Sequence, residues 1–203
     1  MRNILILQHD LFCRDALKRI FERKGHFRIQ EATNCTDILE MTNKSKIDLL
    51  ILDIIPLFES QRIIKFLKEK SNIRIIVLTH LKEKILAPYI LKLGVNSFLS
   101  RLCTNLDEIE IAIDTVLNNE DYISRSVSMA LKKGNEINAY AIKLTEREFQ
   151  VLGLLSVGKT NKEIAKELNL ELYTIESYRK SIMLKANCRN TSELMLFSYS
   201  IGI

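Results

Sequence analysis
Between Asn3 and Asn118 the chain repeats one pattern: a short apolar run, then a helical stretch. The runs are Ile4–Leu7, Phe27–Glu31, Leu49–Leu52, Ile73–Leu78 and Ser97–Leu99. The helical stretches are Phe12–Lys24, Thr36–Thr42, Glu59–Lys70, Leu81–Leu93 and Leu106–Val116. Leu49–Leu52 and Ile73–Leu78 are dominated by apolar, branched side chains, as parallel strands covered on both faces require. Strictly alternating strand and helix predicts a doubly wound α/β domain. In such a fold function sits beyond the carboxyl ends of the strands. Gln8, His9, Asp10, Asp53, Thr79 and Arg101 fall there.

The pattern changes after Asn118. Residues 119–141 read as a linker with a helical first half and a polar break at Lys132-Lys133-Gly134-Asn135-Glu136. Residues 142–203 read as an all-α domain of four helices. Its first two helices each open on a capping box, Thr145 with Glu148 and Thr160 with Glu163. In a box the hydroxyl accepts from the third amide and the carboxylate reaches back to the first. Leu144 and Phe149 have the spacing of a hydrophobic staple, and Gly158 closes the first helix. A short connection leads to a third helix, Leu172–Lys185, with Ile175 and Ile182 seven apart on its buried side and Ser177, Lys180 and Ser181 opposite. Residues 161–180 have the form of a helix-turn-helix, whose second helix can enter a major groove. Spacing alone fits an ordinary helical hairpin equally well.

The motifs decide between them. Leu144-Thr145-x-Arg147-Glu148, Leu154-Leu155 with Gly158, Asn161-Lys162-Glu163-Ile164-Ala165, Leu168, Thr174-Ile175, Arg179 and Ile182 run in order. The stretch resembles the LuxR/NarL/FixJ class of DNA-binding domains. That resemblance implies that Glu176, Ser177 and Lys180 face base edges. Arg179, Lys185 and Thr174 are the expected phosphate contacts, helped by backbone amides near Thr160 and Asn161 at a helix start. Lys180 suits guanine O6 and N7, and Glu176 suits cytosine N4. Glu176 equally suits a helix N-terminus by dipole alone. The last helix, Thr191–Ser200, is expected to pair subunits through Leu194, Leu196 and Phe197. Glu171 stands where the family has a Ser cap, so the third helix is expected to start less well capped. Tyr173, Glu176 and Tyr178 replace the usual basic residues or His, which predicts a different sequence preference.

The first domain resembles a response-regulator receiver. Asp53 follows Leu49-Leu50-Ile51-Leu52 at the position of the phospho-accepting aspartate, and Thr79 falls on the switch residue. Gly94-Val95-Asn96-Ser97-Phe98-Leu99-Ser100-Arg101 resembles the segment that ends in the family's Lys. Three departures matter. Gln8 and His9 stand where the family has two acids that help hold Mg²⁺, a cation that wants carboxylate oxygens. Arg101 replaces Lys, keeping the charge but not the point-like ammonium. Pro56 comes one residue early after Asp53. Phosphoryl transfer depends on metal to neutralise the moving oxygens. The pocket is therefore read as degenerate, with no cofactor and no Mg²⁺ site expected. Asp53 is then either an inherited partner of Arg101 or a phosphoacceptor. A softer metal on His9, Asp10 and Asp53 is conceivable, but a lone His near two acids is more often structural.

Composition adds bounds. The 203 residues suit two small domains, and the net charge of +5 agrees with a polyanion partner. Cys13, Cys35, Cys103 and Cys188 lack metal spacing and read as reduced thiols of a cytoplasmic protein. No run has the length of a membrane span. No nucleophile–base pairing suggests an enzyme. The expected function is a transcriptional regulator that binds double-stranded promoter DNA as a homodimer without needing phosphorylation. The alternatives are a conventional regulator phosphorylated at Asp53, or one that acts by heterodimerising with another family member. RNA polymerase is a further expected partner.

Overall fold
The computed structural model describes residues 1–54, 57–80, 87, 90–102, 104–132 and 144–200. In the first domain the order is β1 (Arg2–Leu7), α1 (Leu11–Lys24), β2 (Phe27–Glu31), α2 (Cys35–Lys44), β3 (Leu49–Leu52), α3 (Leu57–Lys70), β4 (Arg74–Thr79), β5 (Ser97–Ser100) and α4 (Leu106–Leu117). The strands form one parallel sheet in the order β2-β1-β3-β4-β5. The order turns back between β1 and β3, which puts a crevice at their carboxyl ends. The central strand β3 is wholly apolar because both of its faces are covered, whereas the edge strand β2 carries Arg28, Gln30 and Glu31 and is only partly buried. Ile4, Ile6, Leu49, Ile51, Ile76 and Leu78 pack with Leu17, Phe21 and Ile113 on one face. Leu5, Leu7, Leu50, Leu52, Ile75 and Val77 pack with Ile38, Ile64 and Leu67 on the other. Successive residues serve opposite layers, as the pleat demands.

The expected strands agree with these to within two residues at either end. The helix expected over Leu81–Leu93 lies largely outside the described residues, as do Pro56, Cys103 and most of the polar break at 132–136. The segment expected to link the domains starts against the receiver. Tyr122 bridges Ser97, and α5 (Arg125–Lys132) buries Val127 completely.

The C-terminal helices are α6 (Glu146–Ser156), α7 (Asn161–Leu168), α8 (Leu172–Lys185) and α9 (Thr191–Ser200). Both predicted capping boxes form. Gly158 has φ 84°, a conformation that suits glycine after the helix end, and Asn169 closes α7 in the left-handed region at φ 53°. Val151, Leu152, Ile164, Ile175, Ile182 and Leu194 are fully buried between the four helices. Helix α3 of the first domain touches α6, and the apolar cluster runs on from one domain to the other.

Candidate functional site
Ile175 and Ile182 anchor α8 by one side, so the opposite side faces out. Glu176, Ser177 and Lys180 are all exposed in the intact chain. Tyr173 and Leu184 extend the same face at either end, 79% and 81% exposed. From the sequence Tyr173 reads as a packing residue or a single phosphate hydrogen bond, and its exposure is against packing; Leu184 has no assigned role. Glu171 caps α8 without any side-chain hydrogen bond, as its replacement of Ser predicts.

Arg179 joins three elements. Its Nη1 donates to Asn161 Oδ1 (3.4 Å) at the start of α7, and its Nη2 donates to Thr191 Oγ1 at the start of α9. Thr160 and Glu163 are occupied with each other: the Thr160 amide and hydroxyl both donate to Glu163 Oε2 at 2.7 Å. The Thr160 amide, then its hydroxyl, hold the Glu163 carboxyl below its ordinary value. Thr174 is half-buried on the first turn of α8.

Lys185, an expected phosphate contact, points elsewhere. Its ammonium donates to both oxygens of Glu148 at 2.8 and 2.7 Å. Ser181, expected on the outer face, also turns inward and donates to Glu148 Oε1 at 2.6 Å. The Thr145 amide donates to Glu148 Oε2 at 2.6 Å. Glu148 is only 3% exposed. Burial alone would raise its carboxyl; the ammonium of Lys185, the Ser181 hydroxyl and the Thr145 amide outweigh burial and hold it below the usual range. One carboxylate thus caps α6 and fixes the angle of α8. Spacing identified the cap and missed the long-range ties, because no local pattern marks them.

Helix α9 corrects the expected dimer face. Leu194 is fully buried and Phe197 is 8% exposed, both inside their own domain. They lie three apart and share the inner side. Leu196 and Tyr199, also three apart, share the outer side at 70% and 78% exposure.

The crevice at the strand ends gathers all six residues expected there. Gln8 is buried and donates from Nε2 to the Leu78 carbonyl at 2.6 Å. His9 is exposed, and Thr79 is fully buried. Asp10 caps α1 by accepting from the Cys13 amide at 2.9 Å. Arg101 Nη1 lies 2.9 Å from Asp10 Oδ2, and Nη2 lies 3.6 Å from Asp53 Oδ2. The pairing with Asp53 was anticipated; the closer one with Asp10 was not. The amide of Cys13, then Arg101, hold the Asp10 carboxyl below its ordinary value. Burial pushes Asp53 up, offset only in part by the Thr79 hydroxyl and the charge of Arg101. Burial also pushes the Cys13 thiol up to about 11, which removes it as a thiolate at neutral pH.

Mg²⁺, which a receiver pocket implies, does not fit this donor set as it stands. Asp10 spends one oxygen on the Cys13 amide and the other on Arg101. In the crevice, Gln8 Oε1 is a buried acceptor without a hydrogen bond, and the Asp53 oxygens face the Thr79 hydroxyl and the Arg101 guanidinium. One available carboxylate beside a guanidinium is poor company for a divalent cation. Among the described residues no group of three or more His, Cys, Asp or Glu side chains could hold a metal ion. No described helix is long and apolar enough to cross a membrane.

Comparison with known proteins places both halves. Residues 4–128 match the response regulator receiver domain, and residues 143–198 match the bacterial regulatory proteins of the luxR family. A transcriptional regulator of Pseudomonas aeruginosa is 32% identical, covering 98% of this chain and 97% of its own length. The response regulator UvrY of Escherichia coli is 27% identical, covering 100% and 96%. Among solved structures, RcsB of Salmonella enterica serovar Typhimurium bound to promoter DNA is similar in fold, with a TM-score of 0.60 at 24% identity and 98% of each chain covered.

Proposed function
This chain belongs to the response-regulator receiver family and ends in a luxR-family regulatory domain, and from that premise we propose that it binds promoter DNA as a dimer in the cytoplasm without needing phosphorylation. The observation that carries this reading is the exposure of Glu176, Ser177 and Lys180 with the receiver domain in place. No unmasking step is needed before α8 meets a groove. RcsB, similar in fold, forms a complex with DNA.

Entry of α8 into the major groove puts Lys180 against guanine O6 and N7 and Glu176 against cytosine N4. Ser177 lies between them and accepts or donates. Arg179 reaches phosphate with the guanidinium donors left over from Asn161 and Thr191, and Thr174 adds a hydroxyl from the first turn. Asn161 contributes from the start of α7, and Thr160 holds that start in place. Lys185 acts through Glu148 by fixing the helix angle. Leu196 and Tyr199 form the subunit contact, so two copies of α8 meet two half-sites.

The test is fluorescence-anisotropy binding of untreated full-length protein to its own upstream region at two salt concentrations. Wild type and Asp53→Ala are expected to bind alike, with affinity falling as salt rises. Lys180→Ala is expected to lose about 1–3 kcal/mol, roughly five- to 150-fold, and to relax preference at one base pair. Binding that appears only after a phosphodonor, and only in wild type, would overturn the reading in favour of kinase control. Binding by neither protein alone, restored by another family member, would favour the heterodimer.

A further inference from the structure
We propose that the guanidinium of Arg101 is the resident cation of the receiver pocket, standing between Asp10 and Asp53 where a divalent ion would otherwise stand, and that its removal opens a Mg²⁺ site. The proposal rests on the phosphorylation-independent reading and supplies its physical cause.

Three chain segments meet at this point. Asp10 follows β1, Asp53 follows β3 and Arg101 follows β5. The backbone fixes two of them: the Asp53 amide donates to the Leu7 carbonyl and the Arg101 amide donates to the Thr79 carbonyl, both at 2.8 Å. The strand ends thus place Asp53 and Arg101 independently of their side chains, and Asp10 is placed by its cap on α1. Buried Asp53 and the more exposed Asp10 both call for a cation. A guanidinium meets that call permanently, since it does not lose its proton in proteins. Its two nitrogens reach the two acids separately, at 2.9 and 3.6 Å, which a single ammonium cannot do.

The side chain is also held. Arg101 lines a groove between α1 and α4 with Cys13, Leu17, Leu106 and Ile109, and only 19% of it is exposed. Its stem lies along that apolar wall. A Mg²⁺ ion seeking the oxygens of Asp53 and Gln8 would meet this fixed positive charge at close range. Without Arg101, the same crevice offers Asp53, a released oxygen of Asp10 and Gln8 Oε1. These are hard oxygens, the donors Mg²⁺ prefers.

Thermal melting of the full-length protein by circular dichroism, after chelation and then with added Mg²⁺, tests this, with NaCl of equal ionic strength as control. Wild type is expected to melt at the same temperature with and without Mg²⁺. Arg101→Ala is expected to melt about 5 °C lower without metal and to recover on adding Mg²⁺, because an ion that binds only the folded state stabilises it. Arg101→Ala with Asp53→Asn is expected to melt above the single variant and to ignore Mg²⁺. Arg101→Gln, which keeps much of the stem, replaces Arg101→Ala if that variant does not fold. A wild type stabilised by Mg²⁺, or an Arg101 variant indifferent to it, would overturn the proposal. DNA binding measured on the same untreated samples separates the two ideas: wild type that binds DNA yet responds to Mg²⁺ sinks the resident cation alone, whereas DNA binding that waits for a phosphodonor sinks the reading beneath it.

Discussion
Glu148→Gln keeps the shape of the side chain and removes the charge that meets Lys185. The amide can still accept from Thr145, but Lys185 is left half-buried without its counter-ion. Breaking such a pair from one side costs about 3 kcal/mol or more, because the remaining charge keeps its desolvation. Urea unfolding is expected to show that loss, with weaker DNA binding as α8 loses its fixed angle. The same carboxyl has a pH signature. Its folded value is depressed, so its contribution is present at neutral pH and is lost as pH falls through that depressed value. Wild type is expected to lose stability over that acid range, and Glu148→Gln to be flatter there. Asp53 has the opposite sign, since burial raises it. Asp53→Asn is accordingly expected to melt at or above wild type at neutral pH; a clear drop would mean that the ion pair with Arg101 outweighs burial.

At the scale of the element, α8 is the helix with a fault at its start. Glu171 leaves the first amides without a side-chain acceptor, whereas Thr145 and Thr160 serve α6 and α7 fully. Glu171→Ser is expected to raise stability by about 0.5–1 kcal/mol, read as a higher urea midpoint at unchanged slope. Helix α9 shows what spacing could not settle. It is apolar on both sides, so its periodicity does not say which side goes in. The structure turns Leu194 and Phe197 inward, because those two reach the core formed by Val151, Ile175 and Ile182. Leu196 and Tyr199 stay exposed. Leu196→Glu is expected to abolish cooperative binding to paired half-sites while leaving the monomer folded, which sedimentation and anisotropy together would report.

At the scale of the whole molecule, most of the architecture was legible in the chain. The central strands β3 and β4 could be read because burial on both faces leaves almost no polar residue in them, and β2 because its apolar residues alternate with polar ones as at a half-covered edge. The start of α6 and of α7 could be read because a capping box is closed within one turn. Leu172–Lys185 was bounded by its connection on one side and its last basic residue on the other, and the structure gives the same bounds. The chain also shows that Gln8 and His9 cannot supply two carboxylates. What only the tertiary structure decided are the polar contacts that cross the fold. Lys185 was free to be a phosphate contact until α6 brought Glu148 under it. Arg101 had one anticipated partner until the fold brought Asp10 within 2.9 Å of its guanidinium. The reason is the same in both cases: caps and periodic faces are set by neighbours a few residues away, whereas an ion pair between distant positions exists only where the packing of helices and strand ends has already placed its two halves within reach.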